Sequence, residues 1–124
     1  MKAELIEKIC SYKIIHPYEI ILVFDAYKVK GNSREIEKHG SISVVYTKEA
    51  ETADAYIEKV TRQLGKKHRV YVATSDGLEQ MIILGNGAQR TPAASFIKEL
   101  YEAEEKISEM VKLYNETETI REKE

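Results

Sequence analysis

Glu19-Ile20-Ile21-Leu22-Val23-Phe24-Asp25-Ala26 is the stretch that decides the fold of this chain. Five apolar residues run without polar interruption, which is how an interior strand covered on both faces reads, and the run stops on an aspartate. Strands of that kind belong to parallel sheets flanked by helices. Their C-terminal ends form the edge at which open α/β folds hold ligands. A second apolar run closes on an acid in Ala73-Thr74-Ser75-Asp76-Gly77, and a third aspartate lies between the two in Glu51-Thr52-Ala53-Asp54-Ala55. Carboxylates gathered at one edge repel one another unless a divalent cation compensates them. Asp25, Asp54 and Asp76 therefore suggest Mg²⁺ or Mn²⁺ chemistry on a phosphate backbone.

Working outward, helix and strand periods alternate. Ala3 to Ser11 places Ile6, Ile9 and Cys10 on one side of a short helix, which His16-Pro17 closes because proline disfavours helix in the residue before it. Tyr27 to Gly40 is polar and carries Gly31-Asn32 and Gly40, which predicts a mobile loop rather than a packed element. Ser41 to Tyr46 reads as a strand through Ile42, Val44 and Val45. From Glu51 or Thr52 to Leu64 a helical stripe of Ala53, Ile57, Val60 and Leu64 follows, with Gly65 as its stop. Arg69 to Thr74 is a further strand, and Ser75 caps a helix carrying Leu78, Met81, Ile82 and Ile83. Gly85-Asn86-Gly87 turns the chain into a very short strand around Ala88. Thr91-Pro92 then reads as an N-cap followed by proline at the first helical position, opening a long helix. Its buried stripe is Phe96, Ile97, Leu100, Ala103, Ile107, Met110, Val111 and Tyr114. The expected organisation is one domain over residues 1–114, with a charged tail over 115–124 that frays.

Composition narrows the class. A chain of 124 residues with 43% hydrophobic residues can bury one core, and a net charge of −2 lacks the strong basic balance of many nucleic-acid binders. Local basic patches beside an acidic centre remain compatible with binding. Cys10 is the single cysteine, so no disulfide framework forms within one chain and a reducing compartment, the cytoplasm, is expected. No long apolar stretch follows Met1-Lys2-Ala3-Glu4, so neither a signal peptide nor a membrane partner is expected. His16, His39 and His68 lie in loop-like stretches without partners at ligand spacing, and Gly85-x-Gly87 matches only part of a dinucleotide fingerprint.

Glu51, Asp54 and Glu58 stand three and four apart, on one helical face, and Asp54 falls in the first turn, where the macrodipole favours its ionised form. Acids are common in first turns, however, and charged helix faces are usually just solvated. Taken alone, Asp54 would be structural more often than catalytic. Asp76 after its serine has the same ordinary explanation, whereas Asp25 at the end of an apolar strand is harder to read as decoration.

Four segments together carry a family resemblance: Val23-Phe24-Asp25-Ala26, the run T-K-E-x-E-T-A-D-x-x-I-E from Thr47 to Glu58, Val72-Ala73-Thr74-Ser75-Asp76, and Gly85-Asn86-Gly87-Ala88. Over Glu19 to about Tyr114 the chain resembles the YacP-like branch of the NYN domains, PIN-related nucleases that include a bacterial ribosome-associated endoribonuclease cleaving messenger RNA. The middle motif is the specific one. The resemblance implies a PIN-like three-layer α/β/α fold with a mainly parallel sheet, and it puts Asp25, Asp54 and Asp76 at the family's acidic, metal-binding positions. Glu51 or Glu79 would position a water or assist the Mg²⁺ or Mn²⁺.

The implied partners are messenger RNA and the ribosome. Lys28, Lys30, Arg34 and Lys38 follow Asp25 in the loop, Lys48 and Arg90 flank the same edge, and Tyr27 offers a face for base stacking. A functional loop and a merely solvated one are about equally good readings of these residues. One departure from the family is that no apolar strand ending in an Asp-Gly-Tyr-Asn-type motif precedes the helix at Ala3. An N-terminal strand is thus expected to be absent from the sheet, leaving an edge that invites a homodimer. Two function classes follow: a metal-dependent endoribonuclease, and a nuclease-fold module, catalytically weak, that binds RNA or the ribosome.

Overall fold

The computed structural model describes residues 2–74, 85 and 87–123. Its elements are α1 (Lys2–Ile15), β1 (Ile20–Phe24), β2 (Glu35–His39), β3 (Ile42–Tyr46), α2 (Ala53–Leu64), β4 (Tyr71–Thr74), β5 (Gln89–Pro92) and α3 (Ala93–Lys123). The chain is thus α/β, with three helices and two small sheets among the described residues. It divides into two compact units, Glu19–Phe96 and Met1–Tyr18 with Ile97–Glu124.

In the first of these units, β3 is the central strand of a sheet ordered β1-β3-β2. Its β-branched residues suit a covered, pleated surface, and Ile42, Val44 and Val45 are each no more than 1% exposed. β1 pairs with β3 in parallel from Ile20↔Ile42 to Phe24↔Tyr46. Among the described residues, the apolar run that reads as interior therefore sits at the sheet edge, with Ile21 42% exposed. An uninterrupted apolar pattern reports what a strand's two faces tolerate, and carries no information on whether both backbone edges are paired.

β2 corrects the expectation of a mobile loop from Tyr27 to Gly40. Glu35-Ile36-Glu37-Lys38-His39 pairs antiparallel with β3, and Gly40, at φ 63°, closes the tight turn between His39 and Ile42. Its charges are those of an edge strand protected against further pairing, which is why the pattern reads as loop. The pairing also carries Lys38 away from the Asp25 end, to a 2.6 Å hydrogen bond from its ammonium to Ser43 Oγ.

α2 starts as its sequence indicates, with Thr52 Oγ1 accepting a 3.1 Å hydrogen bond from Ala55 N. Tyr56 and Thr61 are its buried residues, while Ile57, Val60 and Leu64 are half-buried. Gly65 ends the helix in the right-handed region, φ −62°, rather than as a left-handed stop. The second sheet is the parallel pair β4–β5, in register from Tyr71↔Gln89 to Thr74↔Pro92. Val72 and Ala88 are buried there against Ile57 and Val70. Thr91 and Pro92 belong to β5 and do not cap the helix, which starts at Ala93; proline is tolerated at the end of an edge strand, where its missing N–H breaks no ladder. The helix expected after Ser75 lies outside the described residues.

In the other unit, α1 buries Ile9 and Tyr12, and α3 buries Leu100 and Ala103. Lys8 joins the two helices through a 2.8 Å ion pair with Glu104 and sits 4.6 Å from the Tyr101 ring centroid. Of the side expected to carry Ile6, Ile9 and Cys10, Ile9 is buried, whereas Cys10, about 100° further round the helix, is exposed. Of the expected stripe of α3, Leu100 and Ala103 are buried and Phe96 and Ile107 are half-buried. Ile97, Met110, Val111 and Tyr114 are all about half exposed or more. The helix continues through Asn115 to Lys123, with a Glu118–Arg121 ion pair in its last turns. No helix among the described residues is long and apolar enough to cross a membrane.

Candidate active site

Because β1 and β3 are parallel and end in register at Phe24 and Tyr46, the chain leaves the sheet at one edge through both Asp25 and Thr47. Residues 25–34 follow the first strand, and residues 47–52 lead from the second into α2. Hydrogen bonds sew these two connections together. Ala50 N donates to Tyr27 O at 3.0 Å, Glu49 N to Asn32 O at 2.8 Å, Asn32 Nδ2 to Thr47 O at 2.8 Å, and Gly31 N to Glu49 Oε2 at 2.9 Å. The segment expected to be mobile is therefore tied along much of its length to the approach to α2.

Asp25 is exposed at this edge, and among the described residues its Oδ1 accepts a long 3.4 Å contact from Tyr27 N. Asp54 is exposed in the first turn of α2, at the end of the second connection, where the helix dipole favours a carboxylate. Two of the three expected acids thus lie at the end of the unit where β1 and β3 finish. Asp76 and Glu79 lie outside the described residues; β4 ends at Thr74. Among the described residues no group of three His, Cys, Asp or Glu side chains could hold a metal ion. The donor chemistry of Asp25 and Asp54 is all oxygen, which suits hard cations such as Mg²⁺ and Mn²⁺ and does not suit zinc or copper sites built on thiolate or imidazole.

Glu51 and Arg34, expected at the metal and on RNA respectively, meet each other. Arg34 Nε donates to Glu51 Oε1 at 3.1 Å, and Nη2 donates to Oε2. The guanidinium also lies 5.1 Å from the ring centroid of buried Tyr56. Hydrogen bonding to Arg34 holds the Glu51 carboxyl below the ordinary carboxylate range, and the same bond raises Arg34. This pair clamps the start of β2 to the N-terminus of α2. Lys28 and Lys30 are exposed on the first connection, with the Lys28 ammonium 5.6 Å from the Tyr27 ring centroid. Lys48 is exposed on the second. Arg90 is exposed on β5, opposite Val72, in the other sheet.

Sequence reasoning missed Thr47, Asn32 and Glu49 as the residues that organise this edge. Thr47 extends an apolar β-pattern without a break, so the run itself contains no sign of what its hydroxyl does.

All of residues 1–124 match the family model for the YacP-like NYN domain. The chain belongs to this family. A curated relative, uncharacterized protein YacP of Bacillus subtilis (strain 168), is 38% identical over 109 residues, covering 87% of this chain and 64% of the relative. The chain therefore spans somewhat less than two thirds of that relative's length. The crystal structure of Rae1 (YacP) from Bacillus subtilis superposes with a TM-score of 0.77 at 35% identity, over 94% of this chain and 67% of that one. A single-substitution mutant of the same protein gives 0.77 at 33% identity, over 92% and 66%. The YacP-like NYN family has a nuclease fold.

Proposed function

We propose that this chain forms the body of a metal-dependent endoribonuclease that cleaves messenger RNA in association with the ribosome, in the cytoplasm. The observation that carries the reading is the exposed Asp25 at the C-terminal end of a parallel strand, fixed to the same connection that leads into the Asp54 turn of α2. Membership of the YacP-like NYN family supports it. The finer architecture belongs to the same proposal: a PIN-like three-layer α/β/α domain with a mainly parallel sheet. Its support is that β1–β3 and β4–β5 are both parallel pairs.

Asp25, Asp54 and Asp76 would hold one or two Mg²⁺ or Mn²⁺ ions, with Glu79 as a further candidate. Such an ion supplies a lowered water pKa and stabilisation of charge on the leaving oxygen. Glu51 contributes differently, by keeping the Arg34 end of the first connection in place. Lys28 and Lys30 would bind the RNA backbone without reading sequence, Tyr27 would stack a base, and Lys48 and Arg90 would extend the basic surface. Cleavage of a translated messenger RNA, of the same RNA without ribosomes, and of both in EDTA tests the reading. Metal-dependent cleavage that is stronger on the translated RNA is expected. RNA or ribosome binding without cleavage at any Mg²⁺ or Mn²⁺ concentration would replace the enzyme by a binding module.

A further inference from the structure

We infer that Thr47 is the positioning residue for Asp25, an inference that rests on the nuclease reading above. In a parallel pair whose last register match is Phe24↔Tyr46, one more rung would take two backbone bonds, from Thr47 N to Phe24 O and from Ala26 N to Thr47 O. The first forms, at 3.2 Å. In place of the second, Ala26 N donates to the side-chain hydroxyl, Thr47 Oγ1, at 2.8 Å. Thr47 O is thereby released to accept from Asn32 Nδ2 at 2.8 Å. One side chain thus ends the ladder while keeping both strands attached.

The two groups that Thr47 grips are the carbonyl before Asp25 and the N–H after it. Both peptide planes flanking the Asp25 Cα are pinned, so the direction of its Cα–Cβ bond is fixed by the backbone. The carboxylate's own contact to Tyr27 N, at 3.4 Å, is too long to do this. Thr47 is 0% exposed, so its hydroxyl is shielded from bulk water. Asn32 extends the grip: its N donates to Val29 O at 3.1 Å and its O accepts from Glu49 N at 2.8 Å, so part of the first connection is tied to Thr47 through Asn32. Residues that orient a ligand through such outer contacts typically change metal affinity or activity about 10- to 100-fold when replaced.

The test compares the full chain with Thr47→Val, which keeps the shape and removes the hydroxyl, Thr47→Ser, which keeps the hydroxyl, and Asp25→Asn. Mn²⁺ binding by titration calorimetry is read beside the Mg²⁺ concentration giving half-maximal RNA cleavage. Thr47→Val is expected to weaken Mn²⁺ binding about 10-fold or more and to raise the half-maximal Mg²⁺ similarly. Thr47→Ser is expected to stay within a few-fold of the parent. Wild-type Mn²⁺ affinity in Thr47→Val, with binding lost in Asp25→Asn, would overturn the inference and leave the nuclease reading standing. Unchanged binding and cleavage in Asp25→Asn would overturn the nuclease reading and the inference with it. A measurement on the unaltered chain covers the case in which Thr47→Val does not fold: the Ala26 amide should exchange slowly with solvent deuterium, and exchange at the rate of an open loop amide would overturn the inference.

Discussion

Glu51→Gln tests the clamp between Glu51 and Arg34, and its cost follows from the contacts. The two oxygens of Glu51 take two N–H groups of Arg34, and the side chains are only 11% and 26% exposed. Hydrogen bonds to charged groups contribute about 1.5–3 kcal/mol each, and surface screening together with the amide's remaining ability to accept one bond brings the expected loss to about 1–2 kcal/mol. At roughly 4 °C per kcal/mol for a domain of this size, Tm should fall by about 4–8 °C near neutral pH. The sign with pH follows from the depressed carboxyl. Arg34 lowers the folded-state value of Glu51, so the pair's stabilisation is full above the ordinary carboxylate range and disappears as pH falls through the depressed value. Thermal or urea melts of the two proteins from pH 7 down to about pH 3 should therefore converge on acidification. A Tm equal to the parent's at pH 7, or a deficit that persists undiminished in acid, would refute the clamp. Combining Glu51→Gln with Arg34→Met in a double-mutant cycle isolates the pair itself, and the double mutant should lose less than the two single losses added.

Charge reversal at Lys28 and Lys30 should weaken RNA or ribosome binding and flatten its dependence on salt, as read from binding isotherms over a salt series; unchanged binding would remove the first connection from the RNA surface. Among the described residues β1 is paired on one side only, and its run Ile20-Ile21-Leu22-Val23-Phe24 has no charge or proline to discourage further pairing. We expect light scattering to show concentration-dependent association that Ile21→Lys reduces, and a concentration-independent monomer would contradict a homodimer through this edge.

Elements whose sequence signal is local were legible. β3 declared itself by β-branched residues, α2 by Thr52 and a helical stripe, and the parallel strand end by an apolar run closing on Asp25. What depended on partners distant in the chain was not. β2 hides because an edge strand of mostly polar and charged residues has the composition of a loop, and β1's place at the edge hides because periodicity describes faces. The pairing of Arg34 with Glu51 spans 17 residues, and the bond from Ala26 to Thr47 spans 21. At the candidate site the sequence therefore named acids and bases by type, while the residues that fix Asp25 in space emerged only from the hydrogen-bond pattern.

The most direct measurement of the central claim is RNA cleavage at saturating Mg²⁺ by the parent chain, Asp25→Asn and Asp76→Asn, with Mn²⁺ binding measured on the same preparations. We predict cleavage by the parent and its loss in both variants, together with weakened Mn²⁺ binding. Equal cleavage by all three proteins would contradict a metal-dependent nuclease centred on these aspartates.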